Sequence, residues 1–420
     1  MNSRSRSRSA LAWGLRSNST AVTSFELACG FSLRLRHRAP RRARGSRARC
    51  GELQRGPPAG PEDAAARAYG PGMGTETVSG IARDKVDPWL ADHVAGAVPP
   101  FDYRLIAGGR SNLTYAVGDS DGRRFVLRRP PLGHVLQSAH DMGREHRIIS
   151  ALAATAVPVP QPLAFCQDSA VNDAPFYVMD FVEGFVLDDA QDAERHLDEA
   201  ARAQASGSLI DVLVELHAVD PDAVGLGDLG RKAGYVERQL RRWHAQFEKS
   251  KSRDIPAMDE VHRRLASHVP PQRRTGIVHG DYRLGNCLVG ADGTIRAVLD
   301  WELCTLGDPL ADLGWTVAWW IEAGESSDHL RRSVPSMAPG FATRAALVER
   351  YAERSGADSG ELDFFVALAL WKLACIAEGV HARYGAGVMG DDATATDMQA
   401  FGEQVERLAD AALARCERME

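Results

Sequence analysis

The chain has 420 residues, of which 44% are hydrophobic and 25% are charged, the proportions of a soluble globular protein with room for two domains or one large two-lobed domain. No run approaches the roughly 18 uncharged apolar residues of a membrane-spanning helix, which predicts no membrane partner. The seven cysteines form no C-x-x-C pair, which indicates reduced thiols in a cytoplasmic protein and argues against a zinc site.

Charge divides the chain near residue 72. Residues 1–72 contain 14 Arg and four acidic residues, a net charge of +10, so the remainder carries −16 of the total of −6. This composition predicts a disordered basic extension. Three interpretations stay open: an untranslated stretch before a start at Met73, an organelle transit peptide, or a basic tail that binds nucleic acid or anionic lipid. We favour the first, which leaves no nucleic-acid partner.

The elements of the first half alternate between helix and strand. DKVDPWLADHV is typical of a short helix with Pro88 in its first turn. Three apolar-alternating runs follow, separated by the Gly-rich bend AGGRSN and by a tight turn at Asp121-Gly122, which predicts three antiparallel strands. A helix that carries Glu145 comes next, then the extended VPVPQPLAFC, then a strand, PFYVMDFVEG, that breaks at Gly184.

The second half is mainly helical in period, except for NCLVGADGTIRAVLDW, which predicts a hairpin turning at Asp292-Gly293. The predicted fold class is therefore α+β. A small antiparallel-sheet N-lobe covers residues 81–182, and a larger helical C-lobe with the hairpin covers residues 183–420. The stretch YVMDFVEG would join the two lobes.

The stretches HGDYRLGNCLV and VLDWE carry the residues suited to phosphoryl transfer. Asp281 lies in the frame H-x-D-x-x-x-x-N of a kinase catalytic loop and is the candidate base for a hydroxyl proton. Asn286 and Asp300, at the two ends of the predicted hairpin, are oxygen donors suited to Mg²⁺. Arg283 would neutralise the transferred phosphate or anchor the loop. The plainer alternative is that these polar side chains only cap turns.

The bend between the first two strands would lay backbone N–H groups and a hydroxyl over the phosphates of a nucleotide. The candidate residues are Gly108, Gly109, Ser111 and Asn112. Arg128, at the end of the third strand, stands where a kinase has a Lys, and Glu145 is its natural partner. Arg is not equivalent to Lys there, because its planar fork binds phosphate differently. The alternatives are an ordinary turn and a surface Arg.

Three neighbours of the motif have structural interpretations, and a fourth is a weaker functional candidate. His279 is more typical of a packed, hydrogen-bonded loop residue than of an acid or base. Asp308 and Asp312, in GDPLADLGW, are most simply a helix cap and a buried loop anchor. Glu302, in the DWE that replaces the kinase DFG, is a weaker candidate for a metal or water ligand.

Together, VHGDYRLGNCLV and VLDWELCTLGDPLADLGW resemble the aminoglycoside phosphotransferase and choline kinase superfamily from about residue 81 onward. GGRSNLTYAV, FVLRRPPLG and FYVMDFVEG are most similar to its subgroup of kinase-like domains associated with acyl-CoA dehydrogenases. The resemblance implies a two-lobed protein-kinase-like fold that binds ATP between the lobes. It also implies hinge contacts from Asp180 and Val182, a catalytic Asp281, and Mg²⁺ on Asn286 and Asp300.

The acceptor is the least determined part of this prediction, because a fold does not fix a substrate. The subgroup implies a small-molecule hydroxyl substrate, a hydroxylated acyl-CoA. One predicted helix offers cations for CoA phosphates: Arg238, Arg241 and Arg242. The stretch WTVAWW offers aromatic rings: Trp315, Trp319 and Trp320. The plainer explanation is a solvated basic face for the Arg residues and a hydrophobic core for the Trp residues. The alternatives for the whole chain are an aminoglycoside phosphotransferase and a catalytically degenerate nucleotide-binding protein.

Overall fold

The computed structural model of the protein describes residues 78–107, 112–132, 141–385 and 395–419. The predicted phosphate-contacting residues Gly108, Gly109 and Ser111 lie outside the described residues, as does the basic extension. The roles predicted for these residues therefore stay predictions.

The N-lobe is built on a five-stranded antiparallel sheet. Across the sheet the strands follow the order β1-β2-β3-β5-β4. Their bounds are β1 (Asp102–Ala107), β2 (Leu113–Gly118), β3 (Arg124–Arg129), β4 (Pro162–Cys166) and β5 (Phe176–Asp180). Three helices accompany them: α1 (Arg83–His93), α2 (Met142–Leu152) and the short α3 (Ser169–Asn172). The three predicted antiparallel strands and the turn at Gly122, which has φ +82°, are confirmed.

Alternation along β3 shows why this sheet needs a helix on each face. Phe125 and Leu127 point to the core formed with α1, where Leu90 is fully buried. Val126, between them, belongs to the core on the other face, which α2 closes with Ile149 and which continues into the C-lobe. A strand with period-2 side chains and two apolar faces must be covered on both sides.

Helix α1 forms as predicted, but the predicted place of Pro88 is wrong. The helix begins at Arg83, so Pro88 lies inside it rather than in its first turn. Proline there removes only the N–H that would bond to the carbonyl of Asp84. Asp84 and Pro88 are both exposed, so water can satisfy that carbonyl.

The C-lobe is helical, with two small antiparallel pairs of strands at its front. Its helices are α4 (Ala190–His196), α5 (Glu199–Ala218), α6 (Tyr235–Ser250), α7 (Pro256–Ser267), α8 (Leu310–Ala318), α9 (Arg344–Ser355), α10 (Leu362–Gly385) and α11 (Ala395–Cys416). The pairs are β6 (Gly276–Val278) with β9 (Thr305–Gly307), and β7 (Cys287–Val289) with β8 (Ile295–Val298). Helix α10 has the length and apolar composition to cross a membrane, but most of it is buried as the central helix of the lobe.

Strand pairing places the two motifs side by side. Val278 pairs with Thr305, and Cys287 pairs with Val298. The loop after β6, which carries Asp281, therefore lies next to the segment that joins β8 to β9, which carries Asp300. The joint between the lobes is fastened to the same hairpin, because Phe185 exchanges backbone hydrogen bonds of 2.8 and 2.9 Å with Val289.

Candidate active site

Asp281 is the centre of the candidate site and is only 1% exposed. Its Oδ1 accepts hydrogen bonds from the indole Nε1 of Trp315 at 2.7 Å and from Nε of Arg283 at 3.2 Å. Its Oδ2 accepts one from Nδ2 of Asn286 at 2.8 Å. Three donors therefore fix the carboxylate in one orientation. Oδ2 keeps capacity for a further hydrogen bond from a substrate hydroxyl.

The loop around Asp281 is held from behind by Asp312. Its Oδ2 accepts the N–H of His279 at 2.6 Å, and its Oδ1 accepts the N–H of Gly280 at 2.9 Å. Nε2 of His279 lies 2.9 Å from the carbonyl of Leu299, to which it donates, and Nδ1 accepts the N–H of Asp281 at 3.2 Å. Both ring nitrogens are thus used inside the protein, which is the geometry of a loop scaffold. Gly280 has φ +87°, which side chains rarely adopt.

Asp312 is ionised in the fold. Burial alone would raise the pKa of Asp312, but the hydrogen bond from His217 and the backbone N–H of Gly280 outweigh it and lower that pKa. The pKa of Asp312 is therefore lower in the folded chain than in the unfolded one. The ionised carboxylate stabilises the fold above about pH 4, and this contribution disappears as the pH falls through the folded-state pKa.

Replacing Asp312 by Asn is expected to lower the free energy of unfolding by about 3 kcal/mol at pH 7. Urea unfolding at pH 7 and at pH 3 measures this, and the loss should shrink at the lower pH. Asp308→Asn is the matched control, because Asp308 only caps the N–H of Leu310 at 3.0 Å. A loss for Asp312→Asn that is the same at both pH values would contradict the assignment.

Asp300 is joined to the N-lobe through a buried Arg. It has φ +66° and ψ +60°, a left-handed conformation that turns the chain sharply after β8. Its Oδ1 accepts Nη2 of Arg128 at 2.7 Å, and Nε of Arg128 donates to Oε2 of Glu145 at 3.2 Å. Although burial acts to lower the pKa of Arg128, Glu145 and other nearby acidic groups raise it well above its ordinary value. Arg128 is thus a permanent cation that links β3, α2 and the Asp300 segment.

Glu302, the weaker candidate for a metal or water ligand, lies close to Asp300 and Arg128. Its Oε1 is buried and has no hydrogen-bond partner among the described residues, and its Oε2 accepts Nδ2 of Asn112 at only 3.5 Å. Oδ1 of Asn112 is likewise buried with no partner in the described part of the chain. Burial, followed by the Asp300 carboxylate, raises the pKa of Glu302 well above its ordinary value. The only sequence signal for Glu302 was its place as the third residue of the motif DWE.

This charge distribution fits a divalent cation. The acidic side chains Glu145, Asp281, Asp300 and Glu302 all act on one another or on Arg128, and a carboxylate oxygen of Glu302 lacks a partner. Within the described residues, no three His, Cys, Asp or Glu side chains converge as a ready metal cage. Mg²⁺ suits such an incomplete set, because it takes its remaining ligands from water and phosphate.

The predicted hinge residues lie at the end of β5, away from the buried cluster. The N–H of Asp180 bonds to the carbonyl of Gln161 at 2.9 Å, and its carboxylate lies 3.5 Å from Arg123. Val182 is half-buried in the joint. Because the N–H of Asp180 is already bonded within the protein, a hinge contact with a nucleotide would use other backbone groups of this segment, which include those of Val182.

The structure places the residues predicted to contact the acceptor in two separate regions. Arg283 lies over the ring of Trp319 at 5.0 Å, so both are next to Asp281. Arg238 instead bonds to backbone carbonyls at the start of α6, those of Ala233 and Arg231. Arg242 lies 5.4 Å from the centroid of Trp243, and Arg241 is exposed on the same helix.

Two cysteines near the loop are buried thiols. Cys287 and Cys304 are fully buried. Burial raises the pKa of Cys287 to about 12 and also raises the pKa of Cys304. A protonated, inaccessible thiol is not a nucleophile, so both cysteines are structural residues.

Comparison with known proteins gives consistent likenesses. Residues 102–365 match the family described as the phosphotransferase enzyme family. Acyl-CoA dehydrogenase family member 11 of Gallus gallus is 33% identical over 345 residues, which are 79% of this chain and 42% of that protein. Acyl-CoA dehydrogenase family member 10 of Mus musculus is 33% identical over 326 residues, which are 77% of this chain and 30% of that protein. The chain spans less than half the length of these curated relatives.

Solved structures agree on the fold. A Ralstonia eutropha protein provisionally described as an aminoglycoside phosphotransferase has a TM-score of 0.67 and 32% identity, with 80% of this chain and 98% of that chain covered. A macrolide 2′-phosphotransferase from Brachybacterium faecium has a TM-score of 0.50 and 20% identity, over 78% of this chain and 98% of that chain, and shows the fold alone. The predicted α+β, two-lobed kinase-like fold is confirmed. The chain belongs to the phosphotransferase enzyme family.

Proposed function

We propose that this chain transfers the terminal phosphoryl group of ATP to a hydroxyl group of a small molecule, with Mg²⁺ as cofactor. The observation that carries the proposal is the immobilised carboxylate of Asp281, whose Oδ2 accepts a hydrogen bond from Nδ2 of Asn286 at 2.8 Å. A base held in this way aligns the attacking oxygen without reorganisation at the moment of reaction.

The proposed reaction balances without any further reactant. The acceptor O–H bond breaks, its proton goes to Oδ2 of Asp281, and its oxygen forms a bond to the terminal phosphorus. The bond between that phosphorus and the bridging oxygen breaks, and ADP leaves. Arg283, bonded to Oδ1 of Asp281, is placed to face the transferred phosphoryl charge.

Mg²⁺ would be held by Asn286 and Asp300, with Glu302 as a further donor. Nδ2 of Asn286 is committed to Asp281, which leaves its Oδ1 for a cation. Bound Mg²⁺ supplies neutralisation of the negative charge on the phosphate oxygens. Arg128, which contacts Asp300 directly, neutralises part of the negative charge of these acidic side chains.

Mg²⁺ and ADP together are expected to stabilise the protein by about 2.7 kcal/mol at a hundredfold excess over Kd, which appears as a rise in Tm of several degrees. Asp300→Asn should abolish the Mg²⁺-dependent part of this rise. Thermal unfolding with ADP, with Mg²⁺ and with both measures it. Asp292→Asn is the control, because this exposed Asp lies in the turn of the same hairpin and pairs with Arg296. An equal Mg²⁺ effect in Asp300→Asn would remove Asp300 from the metal site.

For the acceptor, we propose a hydroxylated acyl-CoA or a related hydroxyl metabolite. The relatives named as acyl-CoA dehydrogenase family members support it, as does the composition of a cleft next to Arg283. This acceptor cleft is lined in part by Arg283, Trp319, Trp320, Arg332 and Asp188. The two guanidinium groups and two indole rings of this lining suit an anionic, partly apolar ligand, with Arg283 also paired with Asp281. A polycationic aminoglycoside would need the opposite balance.

A panel of acceptors with Mg-ATP tests the proposal: 4-hydroxyacyl-CoAs, aminoglycosides, choline and sugars. Phosphorylation of a 4-hydroxyacyl-CoA that is lost in Asp281→Asn is the expected result. Phosphorylation of an aminoglycoside alone would replace the acceptor and keep the reaction. ATP binding without any transfer would indicate a degenerate nucleotide-binding protein.

A cytoplasmic location belongs to the same proposal. The described cysteines Cys166, Cys287, Cys304, Cys375 and Cys416 are all free. Free thiols are usual in a reducing compartment.

A further inference from the structure

One face of helix α8 contacts the catalytic loop residue by residue. Asp312 bonds to the N–H groups of His279 and Gly280, and Trp315 donates to the carboxylate of Asp281. The hydroxyl of Thr316 lies 2.9 Å from the carbonyl oxygen of Tyr282 and 2.9 Å from that of Asp312, so its one proton is shared between the loop and its own helix. Positions i, i+3 and i+4 of a helix share one face, so one face of α8 contacts each of the loop residues 279–282. The contact of Trp315 is the one made to the base itself.

Lys372, on α10, lies against Trp315 and the loop next to this contact. Its ammonium lies 4.4 Å from the ring centroid of Trp315 and 3.3 Å from the carbonyl oxygen of Gly280. A cation over an indole face withdraws electron density from the ring, which strengthens the N–H as a donor. The same side chain therefore acts on the residue before the base and on the indole that holds the base.

A cleft lies between α6, α8 and α10, and its lining includes Gly280, Trp315, Phe365 and Lys372. Of the three hydrogen bonds that orient the Asp281 carboxylate, the one from the Trp315 indole is the shortest, at 2.7 Å against 2.8 and 3.2 Å. The indole is therefore a main contact that holds the carboxylate in its orientation.

We propose that Trp315 and Lys372 are positioning residues for Asp281, with the Lys372 ammonium polarising the Trp315 indole that orients the catalytic carboxylate. This inference rests on the proposed phosphotransferase function. Neither residue touches the reacting atoms, so the loss of either should lower kcat without weakening ATP binding.

Steady-state kinetics of single and double variants test the inference. Trp315→Phe is expected to lower kcat about 10- to 100-fold, the effect of losing one charge-assisted hydrogen bond, with KM for ATP unchanged within about twofold. Lys372→Met should lower kcat about 3- to 10-fold, and Lys372→Arg should restore most of it. The double variant Trp315→Phe, Lys372→Met should lose little beyond Trp315→Phe, since Lys372 acts mainly through the indole.

Trp371→Phe is the matched control. Trp371 precedes Lys372 on α10 and is fully buried, and its indole donates to the carbonyl of Met258 at 3.2 Å, not to the catalytic loop. It should cost stability and leave kcat unchanged. Full kcat in Trp315→Phe, or an equal loss in Trp371→Phe, overturns the inference while the proposed function stands.

The indole N–H resonance of Trp315, assigned by its absence in Trp315→Phe, tests the hydrogen bond to Asp281 without any measurement of activity. In ¹⁵N-Trp-labelled full-length protein it should shift upfield in Asp281→Asn and in Lys372→Met, because the bond loses its charged acceptor or its polarising cation. No shift in either variant overturns the inference even if the wild-type protein transfers phosphate to no acceptor, which would defeat the proposed function instead.

Discussion

Replacing Asp281 by Asn is expected to lower kcat by about 10²- to 10⁴-fold, the usual contribution of a general base, while KM for ATP stays within about threefold. An amide cannot take up the acceptor proton. Its NH₂ group also meets Nδ2 of Asn286, which donates to the Asp281 carboxylate in the native protein. Initial rates with varied ATP at saturating acceptor give both constants.

Asp292→Asn is the matched control for this experiment as well. It makes the same chemical change in the turn between β7 and β8, where Asp292 bonds to the N–H of Thr294 at 3.0 Å. Its kcat should equal that of the native protein. If Asp281→Asn retained most of the native kcat, the H-x-D-x-x-x-x-N frame would be only a capped turn, and the proposed function would fail.

Replacing Arg128 by Met is expected to lower the free energy of unfolding by about 3–5 kcal/mol, the cost of breaking a buried ion pair by removing one partner. The side chains of Arg128 and Glu145 are only 14% and 2% exposed, so solvent screening is weak. The variant leaves the buried Glu145 and the partly buried Asp300 without the cation that both contact. Urea unfolding at pH 7, without nucleotide or metal, measures the loss.

Arg128→Lys separates charge from geometry. The Lys ammonium restores the positive charge but lacks the fork that lets Nε and Nη2 of Arg128 contact Glu145 and Asp300 at once. About half of the lost stability should return. A loss below about 1 kcal/mol in Arg128→Met would support the alternative that Arg128 is an ordinary surface residue.

Local signals in the sequence predicted the strands and the catalytic loop. Period-2 alternation gave β2 and β3, and Asp121-Gly122 gave the turn between them, because both signals act over a few residues. Likewise, the hairpin that follows Asn286 predicted that Asp300 returns beside it. The prediction of Pro88 in a first helical turn was wrong because a helix boundary depends on packing as well as on local preference.

The contacts that complete the site could not be predicted in this way. Arg128 meets Asp300 across 172 residues of sequence, and Trp315 meets Asp281 across 34. The sequence offered Trp315 only as an aromatic ring near the acceptor, whereas the structure uses its N–H to orient the base. The orphan oxygen of Glu302 also became visible only with its surroundings.

The amino-acid sequence by itself determined the type of chemistry, because the carboxylate, the amide and the second carboxylate lie within one loop and one hairpin whose geometry is set locally. The tertiary structure decided which side chains orient, neutralise and back these groups. Those partners come from α2, α8 and α10, and only the burial of helix faces against one another brings them within hydrogen-bonding distance.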